Sequence, residues 1–172
     1  MARIPTLVAQ YNVYVDGGSK LLGLAEVTLP SFEGLAETLK GAGLMGEISE
    51  VVPGQFGPLT IEMTFRMLYG DVLRFSVGSI HHFDLRSALQ IVDSGDYESK
   101  VSKERFSVMG QVQTINPGTR RVAGLADASI TIGVRRVEHY VDGEKMLEFD
   151  PLNDVYKVGR YDPYAPYKAA VS

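Results

Sequence analysis

The stretch at 41–46 comes nearest in this sequence to a known chemical motif. It reads GAGLMG, which fits the dinucleotide fingerprint G-x-G-x-x-G. That fingerprint holds a pyrophosphate only where it joins a buried strand to a helix whose N-terminus faces the phosphates. Here residues 37–40 (ETLK) precede the motif, and Pro53 and Pro58 limit any helix after it. We therefore expect no bound nucleotide and attribute the match to glycines that make the backbone flexible.

The three histidines do not suggest a metal or catalytic site. His81 and His82 are adjacent, so on a strand their side chains point to opposite faces and cannot chelate one ion. His139 has no recognisable partner motif. The chain has no cysteine, which excludes disulfides, thiolate zinc sites and a cysteine nucleophile. No cofactor and no metal are expected.

An acidic cluster near the C-terminus is the last candidate for chemistry. It contains Glu144, Glu148, Asp150 and Asp154, which lack the spacing and the central glycine of a calcium loop. The motifs of serine hydrolases, P-loop proteins and zinc proteases are also missing. We interpret the cluster as a solvated face, and we expect a protein that is not an enzyme.

Length and composition are those of an ordinary globular protein. The 172 residues fit one domain, 1–172, and 45% of them are hydrophobic. A net charge of −4 argues against tight, sequence-independent binding of nucleic acid. The N-terminus lacks the apolar core of a signal peptide, and no run of about 18 apolar residues is present. These features predict a soluble protein that does not insert into a membrane.

Two hairpins are predicted from a repeated tetrapeptide. YVDG occurs at 14–17 and again at 140–143, each time after an alternating apolar run. Asp-Gly in this context is a strong hairpin signal, because both central residues of a type I′ turn need positive φ. The return strands are expected at about 21–29 and 144–149. Two copies are too few for a repeat protein.

The remaining strands follow from period-two alternation. The clearest is 59–67, and others are predicted at 80–92, 97–115 and 122–141, the last two joined by a Pro-Gly turn at 116–119. The total is seven or eight strands. The fold class is therefore mainly β, a closed or nearly closed antiparallel β-barrel or sandwich.

Two segments break the strand pattern. Residues 69–77 lose the period of two and predict one short flanking α-helix packed on the sheet. The C-terminal tail, about 159–172, contains DPYAPY at 162–167 and is too rich in proline for a central strand. We expect it to be extended.

The long segment 29–56 predicts a protruding hairpin arm. A connection longer than about 12–15 residues inside a compact domain is usually functional or disordered. This one is rich in apolar side chains, each of which gains about 1.5–3 kcal/mol from full burial. We expect it to bury them on another copy of the chain; the alternative is a hairpin folded back on its own barrel. The candidate interface residues are Phe32, Leu35, Leu39, Gly41, Gly43, Leu44, Met45, Gly46 and Ile48.

The order of these segments resembles a known family. VTLPSF at 27–32, the GAGLMG arm, and YVDGEKMLEFDPLNDVYKVG at 140–159 are similar to segments of the major tail tube proteins of contractile-tailed bacteriophages and related contractile bacteriocins. The resemblance spans nearly the whole chain. No single motif carries it; their order and spacing do.

The resemblance implies a structural subunit. Its copies would form hexameric rings, stacked into the inner tube of a contractile tail through which DNA is ejected. The partners it implies are further copies of the chain, the tail sheath protein, the tape measure protein, and the baseplate and tail terminator proteins. The expected location is the virion tail, assembled in the host bacterial cytoplasm. The alternatives are the tube of a contractile bacteriocin or of a secretion-system-like particle, and a monomeric barrel that binds a small ligand.

A DNA conduit further implies a polar wall without a strong net charge, because phosphates must be guided without being held. The exposed faces of the two long strands supply candidate lumen-facing residues, namely Ser107, Gln111, Gln113, Ser129 and Thr131. Arg105 and Arg135 lie on the same strands and would need acidic neighbours or a different orientation. The alternative is that these faces lie against the sheath.

Overall fold

The computed structural model describes residues 3–21, 23–41, 43, 45–95 and 97–171. Within these ranges the chain forms eleven strands, a 3₁₀ helix over Gly70–Arg74 and an α-helix, α1, over Ala165–Val171. The strands are β1 (Arg3–Val15), β2 (Ser19–Lys20), β3 (Leu24–Thr28), β4 (Gly34–Leu39), β5 (Ile48–Phe56), β6 (Thr60–Phe65), β7 (Ile80–Asp93), β8 (Ser99–Asn116), β9 (Ala128–Val141), β10 (Glu144–Asp150) and β11 (Val155–Val158).

Nine of these strands form one antiparallel sheet that branches at β9. The main path runs β11-β10-β9-β8-β7-β1-β2. The N-terminal half of β9 also pairs with β6, and β6 pairs in turn with β3. The mainly-β, antiparallel fold predicted from the sequence is confirmed. The barrel is not closed, because among the described residues no ladder joins β1 to β3, although the Tyr11 hydroxyl donates to the Ala25 carbonyl across this opening at 2.9 Å.

The hydrophobic core lies where the sheet curls over itself. The alternation predicted for 59–67 places Ile61, Met63 and Phe65 inside, facing side chains from β1, β7 and β8. On β9, Ile130 and Ile132 are completely buried. Each such side chain contributes roughly 1.5–3 kcal/mol by leaving water. The other buried apolar residues include Val13, Val15, Phe83, Val108, Val112, Val137 and Phe149.

Two predicted connections are wrong. The return strand expected at 21–29 is only Ser19–Lys20 beside β1; after Gly23, whose φ is +77°, the chain leaves β1 and pairs as β3 with β6. The tight turn expected at 116–119 is a longer loop, because β9 begins only at Ala128. At Gly118, with φ +71°, a Cβ atom would overlap the Ala126 carbonyl, so the glycine permits a close approach of two loop segments.

The helices also differ from the prediction. Residues 69–77 contain only the 3₁₀ helix Gly70–Arg74, which starts at a glycine with φ +66°. The C-terminal tail, expected to be extended, contains α1. The Asp162 carboxylate accepts the Tyr164 N–H at 3.0 Å just before α1, and Pro166 falls in the first turn, where a missing N–H breaks no helical hydrogen bond. In the described part of the chain, no helix is long and apolar enough to cross a bilayer.

Candidate assembly surfaces

The arm predicted at 29–56 is a two-stranded hairpin. Its strands β4 and β5 pair with each other and, among the described residues, with no other strand. Leu39 lies opposite Ile48, and alternation places Leu35 on the same face. All three side chains are about half exposed. Because an isolated two-stranded hairpin is at best marginally stable in water, this face is expected to gain from a partner that covers it.

The glycine motif lies at the tip of the arm. Gly43 and Gly46 have positive φ, and the Met45 side chain is fully exposed. Residues 41–46 thus connect two antiparallel strands, without the following helix that a pyrophosphate site requires. Leu44, one of the predicted interface residues, lies outside the described residues.

An aromatic cluster holds the root of the arm to the body. Phe56 contacts Phe32, Phe149 and Tyr156 edge to face, with ring centroids 5.4, 5.2 and 5.0 Å apart. Such pairs contribute about 0.5–1.5 kcal/mol beyond area burial. Phe32 therefore anchors the arm within its own chain, whereas Leu35, Leu39 and Ile48 are about half exposed and Met45 is fully exposed.

The outer face of the sheet, which points away from the core, carries a network of charges on β7 and β8. The Asp84 carboxylate, which is buried, accepts from Arg86 Nη2 at 2.8 Å and from Arg105 Nε at 2.7 Å. Arg86 and Arg105 are direct cross-strand partners, so Asp84 separates two like charges that would otherwise repel. Burial alone would raise the pKa of Asp84, but the two guanidinium groups outweigh it and lower the pKa.

A second network of the same kind lies on β9 and β10. Glu138 and Glu148 are cross-strand partners, and Lys145 Nζ bonds to both, at 2.8 and 3.1 Å. Arg136 bonds to the same two carboxylates. The hydrogen bond to Glu138 raises the pKa of Lys145. Burial lowers this pKa, and the hydrogen bond to Glu148 raises it further, so the net shift is upward. Most of the charge on this face is therefore compensated within the chain.

The predicted lumen-facing residues lie on this outer face but differ in exposure. Ser107 is buried and bonds to His82 Nε2 at 2.7 Å, while Gln113 is exposed. Gln111 donates to the Gly78 carbonyl at 2.9 Å and accepts from Arg135 at 2.8 Å. The remaining two, Ser129 and Thr131, are half-buried beside β6. Arg105 has the acidic neighbour it needs in Asp84; Arg135 bonds to an amide instead.

A Ser–His–Asp cluster that the sequence did not reveal lies at the turn after β1. His81 Nδ1 is 2.8 Å from the Asp16 carboxylate, and His81 Nε2 is 3.0 Å from Ser79 Oγ. The Ser79 hydroxyl, however, donates to the Ser76 carbonyl at 2.6 Å, so its proton does not point to the histidine as nucleophile activation requires. The cluster ties the turn to β7. Within the described residues, no group of three potential metal ligands is present.

These features define a β-sheet protein with a partly exposed apolar arm and an outer face of paired charges. The model of the phage tail tube protein FII family matches residues 5–171. The chain also shares 26% identity over 154 residues with the major tail tube protein of Serratia phage KSP20, covering 90% of this chain and 88% of that protein. The chain belongs to the phage tail tube protein family. It is a structural component of a virion tail.

Proposed function

We propose that the chain is the repeating subunit of a contractile phage tail, in which hexameric rings stack into the inner tube. The single observation that carries this proposal beyond family membership is the arm. It presents a half-exposed apolar face on a hairpin beside which the described residues place no further strand. Exposed apolar faces and free sheet edges are aggregation hazards unless a partner covers them, and in a tube each copy covers the next.

The arm is the proposed contact between subunits. Its described members outside the root are Leu35, Leu39, Gly41, Gly43, Met45, Gly46 and Ile48. Glycines at the tip allow the hairpin end to adapt to the neighbour, and the aromatic root fixes its direction. A contact made by one surface on a different surface of the next copy closes into a ring or propagates as a filament.

The outer face of the main sheet is the proposed wall of the DNA channel. Most of its charges are paired within the chain, as at Asp84 and Glu138, although Arg135 bonds to an amide, so the wall offers phosphates few free cations. Polar groups such as Gln111 and Gln113 complete it. A polyanion would pass over such a surface with little retention, and it is not bound in a specific site.

The further partners proposed are those of a tail: the sheath protein outside the tube, the tape measure protein within it during assembly, and the baseplate and tail terminator proteins at its ends. Assembly takes place in the bacterial cytoplasm. The 172 residues act as one domain, without a cofactor and without catalysis.

Electron microscopy of the purified full chain tests the proposal. Negative-stain images over a concentration series should show tubes or rings, and end-on views should show six subunits around an open channel. A cryo-electron reconstruction of the tubes would then place Gln111 and Gln113 at the lumen. A chain that remains monomeric at millimolar concentration, with its arm packed on its own body, would overturn the proposal.

A further inference from the structure

The apolar face of the arm has two carboxylates at its centre. Glu37 lies directly opposite Glu50, on the face that also carries Leu39 and Ile48. Like charges in direct cross-strand positions destabilise a hairpin. The nearby Lys40 is paired with Glu47 at 2.8 Å, and neither Glu37 nor Glu50 has an ion pair with a described residue. Within one copy of the chain this repulsion is not relieved.

A surface of opposite charge lies in the loop between β8 and β9. Arg120 and Arg121 are exposed there beside Val122, which is fully exposed, and Leu125, which is 60% exposed. Among the described residues, the Arg120 guanidinium donates to the Pro117 carbonyl, and that bond does not neutralise its charge.

Arg66 lies against the same loop. The Ala126 N–H donates to the Arg66 carbonyl at 2.9 Å, and the Arg66 residue is exposed. Asp127 is the one carboxylate of the loop. We call this surface, made of Arg66, Arg120, Arg121, Val122 and Leu125, the arginine end.

The arm root and the arginine end lie at opposite ends of β6. The residue before β6, Leu59, accepts the Val134 N–H at 2.8 Å on the side of the arm root, whereas Phe65 at the other end pairs with Ala128, directly after the loop. Six strand residues span about 20 Å. A contact between two different surfaces at opposite ends of a molecule is heterologous and can repeat from copy to copy.

We propose that the apolar face of the arm, with Glu37 and Glu50 at its centre, docks on the arginine end of a second copy. Docking would place Glu37 and Glu50 against Arg120 and Arg121, and the apolar side chains on each side would cover one another. It would remove the cross-strand repulsion in the arm and the uncompensated positive charge in the loop in a single step. This inference rests on the proposed tube and names the surface that receives the arm.

Charge reversal tests the docking. The variants Glu37→Arg/Glu50→Arg and Arg120→Glu/Arg121→Glu should each raise the concentration at which tubes form by about tenfold or more, because like charges then meet in the interface. The variant carrying all four substitutions should return close to the wild-type concentration. A misfolded arm or loop would not be repaired by changes on a distant surface, so recovery also reports that both parts fold.

The control is Arg160→Glu. It reverses one positive charge at an exposed residue on neither surface, and should leave the assembly concentration within about twofold. Two results would overturn the docking and leave the tube proposal standing, provided that the wild type forms tubes. In the first, the reversed variants assemble like the wild type; in the second, the fourfold variant does not recover. A wild-type chain that never assembles would overturn both.

Discussion

Removing the apolar face of the arm should weaken assembly without unfolding the chain. In the monomer Leu35, Leu39 and Ile48 are 55%, 50% and 45% exposed. About half of each side chain therefore stays available for burial in an interface, worth roughly 0.8–1.5 kcal/mol each when full burial is worth about 1.5–3. Replacing all three by serine should remove about 2–4 kcal/mol per arm. The association constant should fall by roughly 30- to 1,000-fold, since about 1.4 kcal/mol is tenfold.

Sedimentation velocity over a concentration series, with negative-stain imaging of the same samples, measures this shift. Far-ultraviolet circular dichroism and thermal unfolding check that the variant folds. Leu152→Ser is the matched control, because Leu152 is 77% exposed in the turn between β10 and β11 and is not a residue of the arm. If the triple variant is folded and assembles at the wild-type concentration, the arm does not contribute apolar contacts between copies.

Three further substitutions test the fold that supports these surfaces. Asp84→Asn should lower stability at pH 7 by about 1–3 kcal/mol. Because the folded-state pKa of Asp84 lies below its ordinary value of 3.8, the stabilisation by the carboxylate is present above that value and is lost as the pH falls through the folded-state pKa. Urea unfolding should therefore show a smaller difference between the variant and the wild type at pH 3 than at pH 7. Gly110→Ala should cost about 1–3 kcal/mol in thermal unfolding, because the new Cβ would collide with the Ile132 side chain. Phe56→Ala should cost about 2–4 kcal/mol and weaken assembly as well, because the arm loses its contact with Phe149; unchanged melting would contradict the aromatic anchor.

Local alternation explains what the sequence predicted well. The side chains of β6 alternate between core and solvent, and β7 was expected at 80–92 where the structure has Ile80–Asp93. The arm was visible because apolar residues and glycines occur together at 29–56. These patterns are local in sequence, because they depend on the types of neighbouring residues and not on contacts with distant parts of the chain.

Non-local contacts explain what the sequence did not predict. The hydrogen bonds between Arg105 and Asp84 and between His81 and Asp16 depend on strand registers that no local pattern specifies. The same holds for β3, which resembles a return strand of the first hairpin but finds a better partner in β6. The helix in the proline-rich tail was missed because Pro166 falls in the first turn, the one helical position where proline is compatible.

The two YVDG turns perform the same structural task. Asp16 exchanges two bonds with His82, through its own N–H and its carboxylate, at 2.8 and 2.9 Å. Asp142 does the same with Lys103, at 2.8 Å in both bonds. Each aspartate also has φ near +50°, as the hairpin turn requires. The strand pair β1–β7 and the strand pair β9–β8 are therefore built alike.

The likeness extends along the registers and defines an approximate two-fold axis through the sheet. A rotation about this axis that superimposes Asp16 on Asp142 also superimposes His82 on Lys103. The cross-strand pair His82–Met109 then falls on the pair Lys103–Ala88, and the pair Leu85–Phe106 falls on itself, so the axis passes through that pair. The same rotation superimposes the extra residue of a bulge in β1, Ala9, on the extra residue of a bulge in β9, Arg135. A bulge at the same position in both strands is strong support for this equivalence, because a bulge moves every later side chain of its strand to the opposite face of the sheet.

This equivalence predicts a covered edge on β1. The edge of β9 at 128–133 is paired with β6, whereas the equivalent edge of β1, at 3–7, is paired with no described strand on that side. The side chains of Ile4 and Leu7 there are more than half exposed. A strand of a second copy would satisfy this edge as β6 satisfies the other. Hydrogen exchange of residues 3–7 should therefore slow when tubes form, and equal exchange rates in monomer and tube would show that this edge stays open to water in the assembly.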